Sequence, residues 1–420
     1  MFQSNRIVVF GVTSVIILSL CGMRLVTTVP AQDFQTVPIL LQAPEVLPKA
    51  VISGPNYTIK ETVSNDGFVN TYEMGTPYGS LKVESTGLLL KRAAELRAVA
   101  KLGELEKTNV YQNALKTAAL GPVKTAEGLV TAPVETVKGV ASGIGNFFAK
   151  VGDSVKSSDP DKDKPLNAML GQSAFKREFA YEFGVDPYTS FEPLQKALDD
   201  VSWTAAVGGL TAKAAFMAIP GGAGAVVGYS GTAETMRSLV RDKTPPELEK
   251  MNRESLRKMG VDDGLASRFL STTSYSPQDK TFLVGGLASM TGVMNRRIFV
   301  EWATTNCVEP VALFIRVRAQ MMAQYFDKAR NVDRFVIAGG TPLLLTKSGV
   351  IVGIFPLDHV AWTSALAGKE RAISEDIKKV AGVKGKELWI GGAVDPVARG
   401  ALEAKGWKVE EKSLEKLLKK

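Results

Sequence analysis

The spacing of apolar and polar residues divides the chain into regions of different character. Residues 57–83 alternate β-branched or aromatic residues with polar ones between short turns, which predicts a small β-meander. Residues 88–119 carry apolar side chains every three or four positions, as an amphipathic helix does. The helical spacing recurs through residues 173–330, and strand-like runs return in residues 331–420. The pattern predicts an α+β fold that is mostly helical, with an N-terminal small β-meander, a central helical bundle and a C-terminal small α/β domain.

The C-terminal region contains one glycine-rich helix start. The strand-like residues 387–390 precede Gly391 and Gly392, a helix follows as far as Lys405, and residues 407–409 again resemble a strand. A helix N-terminus in such a β-loop-α-β unit can bind an anion. The segment has neither the lysine of a phosphate loop nor the glycine spacing of a dinucleotide site. We expect the two glycines to form a tight turn, and a small-ligand or anion site is the alternative.

An eleven-residue repeat occupies residues 121–142. Pro122, Val123, Thr125 and Gly128 each recur as the same residue type eleven positions later. Eleven residues make three helical turns, so an apolar stripe stays in line along the helix. The stripe predicts an interaction surface for a membrane or a protein partner, formed by Val123, Leu129, Val134 and Val140. Because Pro and Gly punctuate each unit, a helical hairpin packed on its own domain is the alternative.

A stretch rich in Ala and Gly, residues 203–231, lies within the predicted bundle. Small residues let two helices approach closely, and Pro220 interrupts the helical pattern. Each arm is too short to span a bilayer. We therefore expect a helical hairpin, and the sequence leaves open whether it is buried in the protein or inserted in a membrane.

The N-terminus carries an apolar targeting segment. Residues 7–23 are almost uninterrupted apolar residues, and Val29 and Ala31 fit the residue pattern of a secretory cleavage site. We expect cleavage after Ala31, and the alternatives are an uncleaved anchor or lipid attachment at Cys21. The segment predicts export to a bacterial cell envelope, where the protein would be periplasmic or anchored in the membrane facing the periplasm.

These features predict six segments. They are residues 1–31 as signal peptide or membrane anchor, 32–55 as an extended tether, 56–156 as the β-meander with amphipathic helices and the repeat, 157–172 as a linker, 173–330 as the helical bundle with its Ala/Gly-rich hairpin, and 331–420 as the α/β domain. In the linker Asp159, Asp161 and Asp163 have the spacing of a calcium loop, but the glycine and glutamate of such a loop are missing. The linker is therefore expected to be solvated.

The net charge of +8 over 420 residues is spread along the chain. Such a surface attracts anionic membranes. No basic run alternates with aromatic residues, so we expect no nucleic-acid partner. Two cysteines and one histidine predict no metal site and no cofactor, and Cys307 is expected to be a buried hydrophobic residue. The composition does not determine the oligomeric state.

The single histidine, His359, is the candidate for a catalytic residue. A hydrolase that used it would need a nucleophile and a carboxylate converging on the imidazole. Its neighbour Asp358 points to the opposite face of an extended segment, and no Gly-x-Ser-x-Gly motif supplies the nucleophile. We therefore expect a structural histidine. Exposed helix faces, rather than a ligand cluster, are expected for Arg296, Arg297, Arg316 and Arg318.

A set of short motifs follows in order along the mature chain. They are Tyr78-Gly79 before Leu88-Leu89-Leu90, residues 133–139 with Gly143, residues 184–189, Ser276-Pro277-Gln278 with residues 292–296, and Leu388-Trp389-Ile390 before Ala401-Leu402 and Gly406-Trp407. Together these motifs resemble a family of uncharacterised bacterial exported proteins. The family brings no known reaction or ligand, so the resemblance supports the fold prediction alone. Asp395 stands where the family pattern implies Ser before the proline, which weakens the anion-site alternative.

Three hypotheses about function follow from the sequence. The one we favour is a non-enzymatic cell-envelope protein that associates with a membrane surface or an envelope protein through its amphipathic helices. The first alternative is a small-ligand or anion carrier that uses Gly391 and Gly392. The second is a hydrolase that uses His359.

Overall fold

The computed structural model describes residues 34–119, 164–219, 231–305 and 308–418. The chain divides into two units, Met1–Phe34 and Gln35–Lys420, and the second holds every element described below. The fold is mixed α+β and 56% helical, with an N-terminal antiparallel sheet, a helical middle and a C-terminal sheet, so the predicted fold class is confirmed.

The N-terminal sheet contains six antiparallel strands in the order β1-β4-β5-β3-β2, with β6 paired to β5. Their bounds are β1 Ile39–Gln42, β2 Ser53–Gly54, β3 Tyr57–Ile59, β4 Thr62–Asn65, β5 Asn70–Thr76 and β6 Gly79–Glu84. Side chains alternate between buried and exposed along β3 to β6, as the sequence pattern indicated. One face of the sheet therefore covers a core.

The extended tether expected at residues 32–55 is wrong for its described part. Strand β1 pairs with β4, and two short helices follow, α1 Ala43–Val46 and α2 Lys49–Ile52. Pro44 lies in the first turn of α1 and Pro48 is the N-cap of α2. Both positions tolerate proline because no intrahelical N–H bond is lost there. The prolines that suggested a tether therefore begin short helices.

The helical middle begins with α3 Thr86–Glu106 and α4 Asn109–Ala119, separated by a break at Lys107–Thr108. The remaining helices are α5 Lys164–Phe183, α6 Glu192–Gly208, α7 Ala212–Ala218, α8 Gly231–Asp242, α9 Pro245–Lys258, α10 Asp263–Ser271, α11 Pro277–Ser289, α12 Arg297–Ala303 and α13 Glu309–Ala329. Helix α5 begins within the predicted linker of residues 157–172, so the predicted start of the bundle at residue 173 is wrong. A proline in its first turn, Pro165, does not interrupt it.

The C-terminal sheet has the strand order β13-β11-β9-β8-β7. Its strands are β7 Val332–Ala338, β8 Thr341–Thr346, β9 Val350–Phe355, β11 Gly385–Ile390 and β13 Trp407–Glu410. Strands β9, β11 and β13 are parallel, whereas β7, β8 and β9 form antiparallel hairpins, the second through a turn at residues 347–349. A separate parallel pair joins β10 His359–Val360 to β12 Ala393–Val394. Three helices complete this region, α14 Ser364–Ile377, α15 Pro396–Ala404 and α16 Ser413–Leu418.

Both faces of the C-terminal sheet are covered. Phe335, Leu344 and Val352 pack with the helices of the middle region, whereas Leu343 and Leu345 pack with residues of α14 and α15. Strands β8 and β9 are consequently buried almost throughout, as strands covered on both faces are. The described helices include none that is both long and apolar enough to cross a bilayer.

Candidate functional site

His359 lies at a junction between the two sheets. Its backbone N–H donates to the carbonyl of Phe68, and its side chain is partly exposed. Oδ2 of Asp358 accepts hydrogen bonds from the backbone N–H groups of Asn70, at 2.9 Å, and Thr86, at 3.0 Å. Burial raises the pKa of Asp358, and these two donors partly offset that effect. The carboxylate thus holds the N-terminal sheet to the C-terminal region, and the geometry assigns it no role in orienting the imidazole.

Gly391 and Gly392 are placed for close chain packing. Their N–H groups donate to the carbonyls of Phe355 and Leu357, at 2.8 and 2.7 Å, so neither is directed at a ligand. A Cβ on Gly392 would lie 1.9 Å from the carbonyl oxygen of Asp358, which only glycine avoids. The side chain of Asp395 caps α15 by accepting from Val397 N at 2.8 Å. The helix start considered as an anion site is therefore occupied by the protein itself.

The predicted interaction surface belongs to the eleven-residue repeat of residues 121–142. Val123, Leu129, Val134 and Val140 lie outside the described residues, as do Cys21, Cys307 and the predicted cleavage point at Ala31. In the described part of the chain, no group of three or more His, Cys, Asp or Glu side chains could hold a metal ion.

The expectation that Arg318 lies on an exposed face is wrong. Its side chain is fully buried between α13 and the C-terminal sheet, where Nε donates to the carbonyl of Ile354 at 2.7 Å and a terminal nitrogen donates to the carbonyl of Pro342. The guanidinium also stacks 4.2 Å from the ring centre of Phe355. Burial lowers its pKa to about 9, so the group stays charged at neutral pH. Both faces of α13 are covered, and apolar spacing alone did not indicate this.

The other arginines of that set differ in exposure. Arg297 is exposed, as expected. Arg296 donates to the carbonyl of Leu287 at 3.2 Å. Its side chain is partly buried, and burial lowers its pKa. Arg316 lies 3.1 Å from Asp279 in an ion pair. Arg296 and Arg316 therefore each have an internal structural contact, and the three arginines form no common ligand cluster.

A network of charged side chains joins α3 to α13. Nζ of Lys91 lies 2.8 Å from Glu309, and the guanidinium of Arg92 contacts both Glu309 and the buried Glu95. Burial alone would lower the pKa of Lys91, but surrounding carboxylates raise it, those of Asp279, Glu95, Asp186 and Glu309. Burial opposes ionisation of Glu309 too, yet Lys91 and Arg92 lower its pKa. These charges compensate one another inside the fold, so the network is structural.

A surface groove of about 390 Å³ lies between the end of α3 and the helices α4 and α6. Its walls include Glu106, Tyr111, Leu115, Asp200, Trp203 and Thr204. Helices α4 and α6 run close together because Gly208 has no Cβ, which would lie 2.2 Å from the carbonyl oxygen of Ala114. The hydroxyl of Tyr111 is hydrogen-bonded to that of Thr204 at 2.9 Å, and this bond joins α4 to α6 within the groove.

Carboxylates and an aromatic ring define the chemistry of the groove. Burial, followed by the negative charge of Asp200, raises the pKa of Glu106. Asp200 is exposed and forms an ion pair with Lys196 at 2.6 Å, the lysine side chain being 76% exposed. Trp203, which the sequence placed in a hairpin, has 45% of its surface exposed and lies along the same wall. The groove thus combines two acidic groups with one accessible aromatic side chain.

Large apolar side chains are exposed on α4 and α6, which line this groove, and on α7, which packs against α4. Leu115 on α4, Trp203 on α6 and Met217 on α7 are 36%, 45% and 80% exposed, and α4 packs against both other helices. We call Leu115, Trp203 and Met217 the apolar end. The exposed basic residues Lys116 and Lys213 lie on two of its helices.

Sequence reasoning missed this site because it is built from separate helices. Tyr111 and Thr204 are 93 positions apart, so local periodicity does not bring them together. The available signal was the spacing of Asp200, Trp203 and Thr204, which places three residues on one helix face. Comparison of the chain with protein families, curated proteins and solved structures gave no match.

Proposed function

We propose that this protein is a non-enzymatic component of a bacterial cell envelope that contacts a membrane surface through its apolar end. The observation that carries the proposal is the exposure of Leu115 on α4, and of Trp203 and Met217 on α6 and α7, the two helices that pack against α4. Leu115 and Trp203 line the same groove, and exposed large apolar groups that lie together mark interaction surfaces. Tryptophan in particular suits the boundary between lipid headgroups and acyl chains.

Charge also favours a membrane over a protein partner. The chain carries a net charge of +8, and Lys116 and Lys213 flank the apolar end. Basic side chains beside apolar ones are typical of helices that lie in a membrane interface, where anionic lipids attract them.

The arrangement of the chain adds a further argument. Residues 120–163 follow α4, and residues 220–230 follow α7. Both segments lie outside the described residues. The sequence predicts an amphipathic stripe in the first and an Ala/Gly-rich turn in the second. An amphipathic stripe is suited to a membrane interface, and both segments continue from helices of the apolar end.

Lipid quenching of Trp203 fluorescence tests the proposal. The full chain is added to vesicles with brominated acyl chains, which quench tryptophans at the membrane. The contribution of Trp203 is the difference between the native chain and Trp203→Phe, because the other four tryptophans are present in both. The readout is independent of any insertion by residues 7–23, which contain no tryptophan.

We expect quenching assigned to Trp203 in the native chain and its loss when Leu115 and Met217 are both replaced by Glu. The matched control is Val397→Glu, which changes an apolar side chain 52% exposed on α15. The control should keep the quenching. No Trp203-specific quenching in the native protein would overturn the membrane contact and favour a protein partner at this end.

A further inference from the structure

The groove has acidic walls, although exposed lysines lie on the neighbouring helices. Glu106 at the end of α3 and Asp200 on α6 both line it, and the charge of one raises the pKa of the other. An apolar end that only inserted into lipid would gain nothing from two carboxylates in the groove of Leu115 and Trp203, because desolvation opposes their ionised forms. The groove therefore suits a cation that accompanies the membrane.

The aromatic side chain of Trp203 indicates which class of cation the groove would bind. Trp203 lines the groove beside the two carboxylates and has 45% of its surface exposed. Carboxylates accept hydrogen bonds from an ammonium group, and the face of an indole attracts it through cation–π interaction. A metal ion would need more oxygen ligands than this arrangement offers, and the described residues contain no metal-binding group.

We propose that the groove binds a primary ammonium group, that of the phospholipid headgroups at the membrane surface. This inference rests on the proposed membrane contact and names its lipid. Glu106 and Asp200 accept hydrogen bonds from the ammonium, and Trp203 covers it. The groove volume of about 390 Å³ accommodates an aminoethyl headgroup. Lys116 and Lys213, exposed on the neighbouring helices, supply positive charge for the headgroup phosphate.

Lys196 occupies part of the site in the free protein. Its ammonium lies 2.6 Å from Asp200, and its side chain is 76% exposed. An ion pair so exposed contributes little, so a lipid ammonium can replace it. The same contact shows that Asp200 accepts an ammonium group in this geometry. Removing Lys196 should therefore strengthen binding.

The experiment follows Trp203 emission in the full chain during titration with free ethanolamine. A parallel titration uses vesicles of equal surface charge whose zwitterionic lipid has either an ethanolamine headgroup or a choline headgroup, which has no N–H to donate. We expect a saturable change with free ethanolamine and with ethanolamine vesicles. Replacing Glu106 by Gln and Asp200 by Asn together should weaken both by about tenfold. Lys196→Gln should strengthen both.

Matched controls come from the same two helices. Glu104→Gln and Asp199→Asn remove carboxylates that pair with Lys101 and Lys176 and do not line the groove. These variants should bind as the native chain does. An equal response from the Glu106/Asp200 variant and its controls would overturn the site.

The outcomes separate this inference from the proposed function. Trp203 quenching by brominated lipid without any preference for the ethanolamine headgroup would overturn the ammonium site and leave the membrane contact intact. A response to free ethanolamine alone would overturn the lipid as its source. Absence of quenching in the native chain would overturn both proposals.

Discussion

The hydroxyl of Ser276 donates a hydrogen bond to the carboxylate of Asp186 over 2.6 Å. The same hydroxyl oxygen caps α11 by accepting from the backbone N–H of Asp279 at 3.0 Å. One side chain thus connects the turn after α5 to the start of α11. Asp186 is buried, and the charge of Asp279 lies nearby, so ionisation of Asp186 is unfavourable in the folded protein.

We predict that Asp186 makes stability depend on pH. Burial, and then the charge of Asp279, raises its pKa from 3.8 to about 6. A carboxyl with a raised pKa in the folded state stabilises the fold fully below its unfolded pKa, and this stabilisation is lost as pH rises through about 6. Asp186 contributes on the order of 2–3 kcal/mol more to the free energy of unfolding below its unfolded pKa than above about pH 6.

The variant Asp186→Asn tests this prediction, because the amide keeps an acceptor for the Ser276 hydroxyl and does not titrate. Urea unfolding of both proteins between pH 4 and pH 7 gives the two free-energy profiles. The native profile should fall relative to that of the variant as pH rises. Parallel profiles would show that Asp186 keeps an ordinary pKa.

Local patterns predicted the elements better than their assembly. The strands at residues 57–83 follow from alternation and turn residues, and they are present. Arg318 was misplaced because α13 is covered by α11 on one side and by the C-terminal sheet on the other. Helical spacing indicates one apolar face, and it does not indicate that a charged residue on another face will be enclosed.

The groove was not predictable for a related reason. Its acidic and aromatic walls belong to α3, α4 and α6, which meet only after the chain has passed through residues 120–163 and α5. Gly208 permits the approach of α4 and α6, yet a glycine at the end of a helix ordinarily indicates only its termination. Pairing between distant helices depends on tertiary packing, which local spacing does not specify.

A second prediction concerns Arg318. Lysine keeps the charge but cannot donate in the planar, forked geometry that reaches the carbonyls of Ile354 and Pro342. Arg318→Lys should therefore lower the free energy of unfolding by about 2–4 kcal/mol, measured by urea unfolding at pH 7. The control Arg253→Lys changes a partly exposed arginine and should alter it by less than about 0.5 kcal/mol. Equal stability of the two variants would contradict the structural role of Arg318.

A third prediction separates two neighbours, Asp358 and His359. Asp358→Ala removes the acceptor for the N–H groups of Asn70 and Thr86 and should cost about 2–3 kcal/mol of unfolding free energy. His359→Gln should cost less than about 1 kcal/mol, because the imidazole is partly exposed and its backbone bond to Phe68 is retained. Thermal unfolding measures both variants. A folded His359→Gln protein that lost Trp203-specific lipid quenching would contradict the purely structural role of the histidine.

The last prediction concerns the packing that creates the groove. A Cβ at position 208 would lie 2.2 Å from the carbonyl oxygen of Ala114, so Gly208→Ala must separate α4 from α6. We expect a loss of about 1–3 kcal/mol in unfolding free energy and a changed emission of Trp203, whose groove is bounded by both helices. Gly103→Ala is the matched control, since a Cβ there would meet nothing within 4 Å. Alanine inside α3 should stabilise the protein by about 0.5–1 kcal/mol and leave Trp203 emission unchanged. An equal effect of the two glycine variants on Trp203 emission would contradict the dependence of the groove on the close approach of α4 and α6.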